Sequence, residues 1–452
     1  MKTSSICIKN DLTNLFRFDA SFHLSEGQSV KHAIKHSPYK TLSINDVTSR
    51  IFYGGRARRV YVSKRANGIP FLSSSDILQA DLENVKLASR KFTPGIEDMK
   101  LQKGWTLISR SGTIGNCAFA TAKHAQKLAS EDVIRLVPNN ILRQGMLFAY
   151  LASKYGHSLL TQGTFGAVIQ HIEPDFIGSL PIPYFPDDFQ EKIDGMIQES
   201  ARLREEANDA LNKAVSYFDS LYKISNTLTK NFSLSLKSLG LGFAAYNNNI
   251  EVDNFIAQYI DKSFQLKDKT TRIFAPPLFK HIYLSKDNGY PFMTGSELTQ
   301  FNMRYYRWLS PRGVKDINDY VVKKGTLLLY KSGTTDGGIL GNVFIADKKL
   351  DGCCLSDHVI RIIFEDVNLA YWTFAFLKSK GAVKMLVRLA TGTMIPFITP
   401  DRLSEIPIPL PNDNYEKIVS LVERFIDLQS KSKKLEDEAI TMVEQEIEKW
   451  NN

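Results

Sequence analysis

The chain has 452 residues, 43% hydrophobic and 23% charged, and a net charge of +9. That length allows two or three domains with cores of their own, and the composition is that of an ordinary globular protein, not a fibrous, low-complexity or disulfide-scaffold chain. The four cysteines, Cys7, Cys117, Cys353 and Cys354, lack metal-ligand spacing, and no apolar run would span a membrane or serve as a signal peptide, so reduced thiols and a cytoplasmic location are expected.

The charge is unevenly placed. Residues 187–223 hold nine acidic against five basic side chains and residues 412–452 ten against six, so the two stretches together carry −8 and the remainder +17. A basic remainder suits a surface that tracks phosphates, and it equally suits an excess of solubilising lysine.

Taken in order, the chain shows RFDASF at residues 17–22 and a strand-like TLSINDV at 41–47. A Gly-Gly turn follows, set among two tyrosines and the cations Arg56, Arg58, Arg59, Lys64 and Arg65. Such a loop fits a DNA groove, where arginine pairs bidentately with guanine and phosphate contacts fix the register. A solvated basic hairpin has the same composition.

From Gly68 to Pro183 the chain then reads GIPF, KG, RSGT, GN, SEDVIR, FAYLASK, QGT, PD and LPIP. From Gly289 to Pro409 it reads GYPF, KG, KSGT, GN, SDHVIR, FAFLKSK, TGT, PD and IPIP. Gly68 to Gly289 and Ser111 to Ser332 are offsets of 221, whereas Asn116 to Asn342, Arg135 to Arg361 and Pro181 to Pro407 are offsets of 226. One order with one net insertion, near residues 335–340, is the signature of a tandem repeat. The stretches 45–67 and 266–288 read as divergent, as do 76–100 and 297–322.

Within each copy, apolar runs entering SGT predict a strand, a tight loop and a second strand. Arg110, Ser111 and Thr113 in the first copy, and Lys331, Ser332 and Thr334 in the second, would line a phosphate cradle, although the Gly-Lys-Ser/Thr ending of a P-loop is missing. A corner turn without ligand contact fits these residues as well. VIRLV and VIRII predict strands, FAYLASKYGHSLL and WTFAFLKSKGAVKML each predict one helix, and the Pro-punctuated LPIP and IPIP close each copy.

A long helix follows each copy. Ala207, Leu211, Ala214, Phe218 and Leu221 in the first, and Ile418, Leu421, Phe425, Leu428, Ser432, Leu435, Ala439 and Met442 in the second, are spaced three and four apart, as in a coiled-coil seam. Met196, Val215, Tyr222, Val422, Ile426 and Val443 would then lie on the outer faces and offer a partner-docking surface. Residues 225–270 read as a polar connection opening into the second copy, whose basic aromatic stretch holds Arg304 and Arg307 beside Trp308.

Chemistry is hard to find. The motifs of an amino-methyltransferase, a nuclease or a Walker-type motor are absent, and the eight histidines are scattered. His171 and His358 have no histidine at the matching place in the other copy, and Ser111 and Ser332 share no catalytic base.

Globular part, long helix, globular part, long helix, with GxPF, KG, SGTxGN and LPIP repeated, resembles the specificity subunit (HsdS) of Type I restriction-modification enzymes. RFDASF is similar to the Arg-x-Asp-Ala element near the start of such recognition domains. The resemblance implies an α/β (α+β) fold with a target recognition domain at 1–186, a coiled-coil helix at 187–228, a second recognition domain at 229–411 and a C-terminal helix at 412–452. It implies a non-catalytic chain whose two domains each read half of a split double-stranded DNA target, and whose helices pair antiparallel as a spacer. It also implies two methyltransferase subunits carrying S-adenosylmethionine as partners, with a motor-nuclease subunit added for cleavage, and no cofactor or metal on this chain. The competing reading is a free-standing bivalent DNA-binding protein.

Overall fold

The computed structural model describes residues 20–451 apart from 57, 81, 84, 165–170, 226–241, 243, 305–306, 335–337 and 393. Cys7 and residues 17–19 of the RFDASF element therefore lie outside the described residues. The longer helices are α1 (Glu26–Lys35), α2 (Gln144–Ala152), α3 (Lys154–Gln162), α4 (Asp187–Leu221), α5 (Ile250–Ala257), α6 (Val367–Leu377), α7 (Lys380–Arg388) and α8 (Tyr415–Glu448). Two units pack separately: residues 1–205 with 431–452, and residues 206–430.

The first unit holds β1 (Thr41–Ser43), β2 (Thr48–Phe52), β3 (Tyr61–Val62), β4 (Gly68–Leu72), β5 (Leu87–Ser89), β6 (Thr106–Ser109), β7 (Cys117–Phe119), β8 (Leu128–Ala129), β9 (Val133–Pro138) and β10 (Pro181–Pro183). They form a sheet in the order β2-β9-β6-β7, a second in the order β3-β5-β4-β8, and the pair β1-β10. The antiparallel β1-β10 pair sets Leu42 opposite Ile182, which ties LPIP back to the start of the domain. Val133, Ile134 and Leu136 on β9, with Leu107 and Ile108 on β6, are fully buried, so this sheet lies at the centre of the unit.

The second unit repeats the plan with β11 (Ser263–Gln265), β12 (Thr270–Phe274), β13 (Tyr283–Leu284), β14 (Tyr290–Met293), β15 (Arg307–Leu309), β16 (Leu327–Tyr330), β17 (Val343–Ile345), β18 (Cys354–Leu355), β19 (Val359–Phe364) and β20 (Pro407–Pro409). Its sheets run β12-β19-β16-β17 and β13-β15-β14-β18, with β11-β20 as the closing pair. Even the irregularity is shared: β2 shifts register between Thr48 and Arg50, and β12 between Thr270 and Arg272.

Three expectations need correction. TSRIF at 48–52 and TTRIF at 270–274 match at an offset of 222, so the repeat begins earlier than GxPF and runs through stretches that read as divergent. Residues 250–257, within the stretch read as a polar connection opening into the second copy, form a regular helix, α5, which packs on α7 as α1 packs on α3. Each predicted FAYLASK-type helix is in fact two, broken at Ser153 and at Ser379, whose hydroxyls accept from Gly156 N and Ala382 N and so cap the following helix.

Helix α4 starts directly after Pro186 with Asp187 and Asp188 in its first turn, where carboxylates favour the helix dipole. Antiparallel pairing with α8 is visible inside each unit. In the first, Phe185 packs on Trp450 and Ser200 bonds Ser432; in the second, Glu206 reaches Arg424 and Tyr217 bonds Asn412. The seam is wider than the predicted one. Ile418, Phe425, Ser432 and Ala439 are buried as expected, but Leu421, Leu428, Leu435 and Met442 are only half-buried, whereas Val422, Ile426 and Val443 are buried. These helices carry globular cores as well as each other, which demands more of the helix circumference than a two-stranded coil. On α4, Ala207, Ala214 and Phe218 are core residues, Leu211 is half-buried and Leu221 is exposed.

Candidate nucleic-acid interface

In the first unit the stretch between β2 and β3 leaves the end of β2 away from its register shift. Arg56 is almost fully exposed and lies 3.8 Å from Glu131, and Arg58 and Lys64 are exposed. Arg59 pairs with Glu131 and lies 5.0 Å from the Phe71 ring centroid. Arg65 is held by Glu83 at 2.8 Å. Arg110 is mostly buried, pairs with Glu173 and stacks 4.4 Å from the Tyr53 ring. The predicted cluster thus divides into exposed cations, Arg56, Arg58 and Lys64, and cations already engaged by carboxylates of their own domain.

In the second unit Arg307 bonds both carboxylate oxygens of Glu297 at 3.1 and 3.0 Å and the Tyr283 hydroxyl at 3.2 Å. It sits 5.6 Å from the ring of Phe292, the counterpart of Phe71. One framework ring therefore carries an arginine from the loop before β3 in one repeat and from β15 in the other. Arg304 is half-buried. Asp76 and Glu297 also close short turns through Ser73 and Thr294.

The SGT turns are more self-contained than a phosphate cradle. Thr113 N, Gly115 N and Asn116 N donate to Ser111 O, Ser109 O and Thr113 O, and the Thr113 hydroxyl lies 2.9 Å from that of Ser109. Gly112 and Gly115, at φ +72° and +79°, make the tight path possible. In the second unit Lys331 lies 3.9 Å from Asp357, Thr334 is exposed, and the buried Ser332 hydroxyl lies 2.8 Å from Nδ1 of His358. A base thus stands beside Ser332, although Asp132 occupies the matching place near Ser111, so a catalytic pair is not shared by the two copies.

Sequence reasoning passed over two repeated arginine pairs. Arg50 and Arg272, presented by the twin bulges, stack 3.8 and 3.7 Å from Phe52 and Phe274. The identical TxRIF was the available signal. Arg135 and Arg361 are buried, and each donates to four carbonyls: Arg135 to Met99, Ala129, Ser130 and Val133, Arg361 to Tyr320, Leu355, Ser356 and Val359. Burial pulls both guanidinium groups down to about 10. They anchor the turns that carry Glu131 and Asp357.

The expected outer-face residues do not offer a docking surface as a set. Val422, Ile426 and Val443 are core, and Met196 and Tyr222 are half-buried against the cores of their units. Val215 is half-buried. Among the described residues no group of three His, Cys, Asp or Glu could hold a metal ion, and no helix is long and apolar enough to cross a membrane.

The family model for the Type I restriction modification DNA specificity domain matches residues 37–212 and again 262–441. The chain belongs to that family. In this specificity chain the two matches fall on the two sheet systems and run into the paired helices. Among solved structures it is similar to a Type I restriction-modification S subunit from M. genitalium, at 12% identity over 91% of this chain and 96% of that one, with a TM-score of 0.32. It is also similar to the HsdS subunit from Thermoanaerobacter tengcongensis, at 13% identity over 91% and 96%, with a TM-score of 0.29. No curated protein matches it by sequence.

Proposed function

We propose that this specificity chain performs no chemistry itself and directs a Type I modification complex to a bipartite duplex, each repeat reading one half-site. The observation that carries this reading is the pairing of a constant frame with variable loops: both repeats have the same strand order and the same bulge, yet Phe71 and Phe292 hold arginines from different elements. Two half-sites of different sequence ask for that combination. Arg50, Arg56, Arg58 and Lys64 face base edges or phosphates in the first repeat, whereas Arg272 and Arg307 of the second are held by Asp319 and Glu297 and would have to leave those carboxylates to do so. The paired helices set the gap and dock methyltransferase subunits, which bring S-adenosylmethionine. At 1.5 Å per residue, helices of this length reach roughly 50 Å, or about 15 base pairs at 3.4 Å each.

Replacing Arg56, Arg58 and Lys64 together with alanine should weaken binding of the complex to its target at least ~10-fold and flatten the salt dependence. Unchanged affinity and salt slope in a fluorescence-anisotropy titration would remove these residues from the interface.

A further inference from the structure

We infer that Met394 and Ile395 form an apolar wedge that enters a base step of the half-site read by the second repeat. The inference rests on the DNA-reading function proposed above and deepens it. Met394 is 95% exposed and Ile395 68%, with Phe397 beside them at 41%. Exposed apolar side chains on a floppy loop would mean little, but the residues on either side of these two are held, Thr393 lying outside the described residues. Thr391 and Phe397 exchange both backbone hydrogen bonds at 2.8 Å, closing a short hairpin, and Gly392 takes φ +97° to make the turn. The returning strand is bound to the SGT turn: Gly333 N donates to Pro396 O at 3.1 Å and Ile398 N to Lys331 O at 2.7 Å. Ile398, fully buried, roots the far side, and the Tyr246 hydroxyl donates to Gly392 O.

The tip therefore projects beside the turn that presents Lys331, Ser332 and the exposed Thr334, with His358 packed against that turn. A cation, the Thr334 hydroxyl and an imidazole beside a projecting methionine and isoleucine are the chemistry of a side-chain wedge into stacked bases, with the polar surround meeting phosphates and sugar. A protein partner fits less well, since a stable protein interface covers about 800 Å² on each side, whereas this is a two-residue point in a polar surround. The first repeat's counterpart, residues 165–170, lies outside the described residues, and the inference concerns the second repeat alone.

The test uses the full chain assembled with its methyltransferase subunits and the duplex that methylome sequencing defines as its target, with 2-aminopurine placed in turn along the second half-site. Wild-type binding should raise the fluorescence at one step. Met394→Ser with Ile395→Ser should abolish the rise and weaken binding ~10-fold at unchanged salt slope, while Met394→Leu with Ile395→Val keeps both. A serine variant that matches wild type in affinity and fluorescence overturns the wedge. So does one that binds DNA normally but no longer co-purifies with methyltransferase, which would assign the tip to a protein contact. If wild type itself binds no duplex, the DNA-reading function fails before any variant is made, and the wedge falls with it.

Discussion

Arg135 and Arg361 hold together the turns that carry Glu131 in the first unit and Asp357 in the second. Each donates to four main-chain carbonyls, some of which, such as Ser130 O, Tyr320 O and Ser356 O, also accept from a backbone N–H. Arg361→Met keeps the volume but removes every charge-assisted donor the guanidinium supplies, and the second unit should lose about 3 kcal/mol or more in a urea titration. A loss below about 1 kcal/mol would mean that water replaces the guanidinium. Both arginines stood in the repeated motif, but an arginine inside VIRLV reads as an outward-facing strand position. Its burial depends on a turn that folds back over it, which periodicity does not encode. His124 is a second case. Its Nδ1 accepts from Thr121 N at 3.2 Å and its Nε2 faces Ile77 O at 3.3 Å, so the ring is neutral with its proton on Nε2. Burial first, then the charges of Arg204 and Lys127, push it down to about 3 from 6.5. Because the unfolded chain binds that proton and the folded one does not, the stabilisation is complete above pH 6.5. It is lost as pH falls from 6.5 towards 3, at a slope approaching about 1.4 kcal/mol per pH unit. His124→Asn should flatten the acid limb of unfolding midpoint against pH over that window, and an unchanged limb would show that other groups set it.

At the scale of elements, the polar break in the α8 seam has a physical meaning. Ser432 Oγ donates to Ser200 O at 2.6 Å, Ser200 Oγ lies 2.8 Å from Ser432 O, and both residues are buried. This reciprocal pair lets the helices approach closely and fixes their register, as a single polar seam position can in a coiled coil. Ser432→Val should cost about 1–3 kcal/mol, and Ser200→Ala with Ser432→Ala less than the sum of the single changes. Strict additivity in urea midpoints would show that the two hydroxyls act separately. The three-four spacing of α8 was legible, including the interruption at Ser432, because spacing alone defines a helical face. The width of that face was not, since Val422 and Ile426 are buried by side chains far away in sequence. The breaks at Ser153 and Ser379 escaped for a related reason: α2 and α6 are buried nearly all round, and the 3.6-residue pattern continues across a cap.

At the scale of the whole molecule, the tandem repeat was the most legible feature, and the strand order of one unit is that of the other. What stayed hidden is which loop side chains meet DNA, because Arg59, Arg65, Arg110 and Arg307 have carboxylate partners in their own domains, and composition cannot tell a paired arginine from an exposed one. Two repeats on one frame ask for one chain that reads two half-sites. Methylome sequencing of cells with and without the chain, its neighbouring methyltransferase genes present in both, tests it most directly. Methylation is expected at one split motif, two short half-sites with a fixed gap, seen only when the chain is present, with the loss of one half's specificity when the exposed cations of one repeat are removed. Methylation that is independent of the chain, or confined to a single continuous motif, would contradict it.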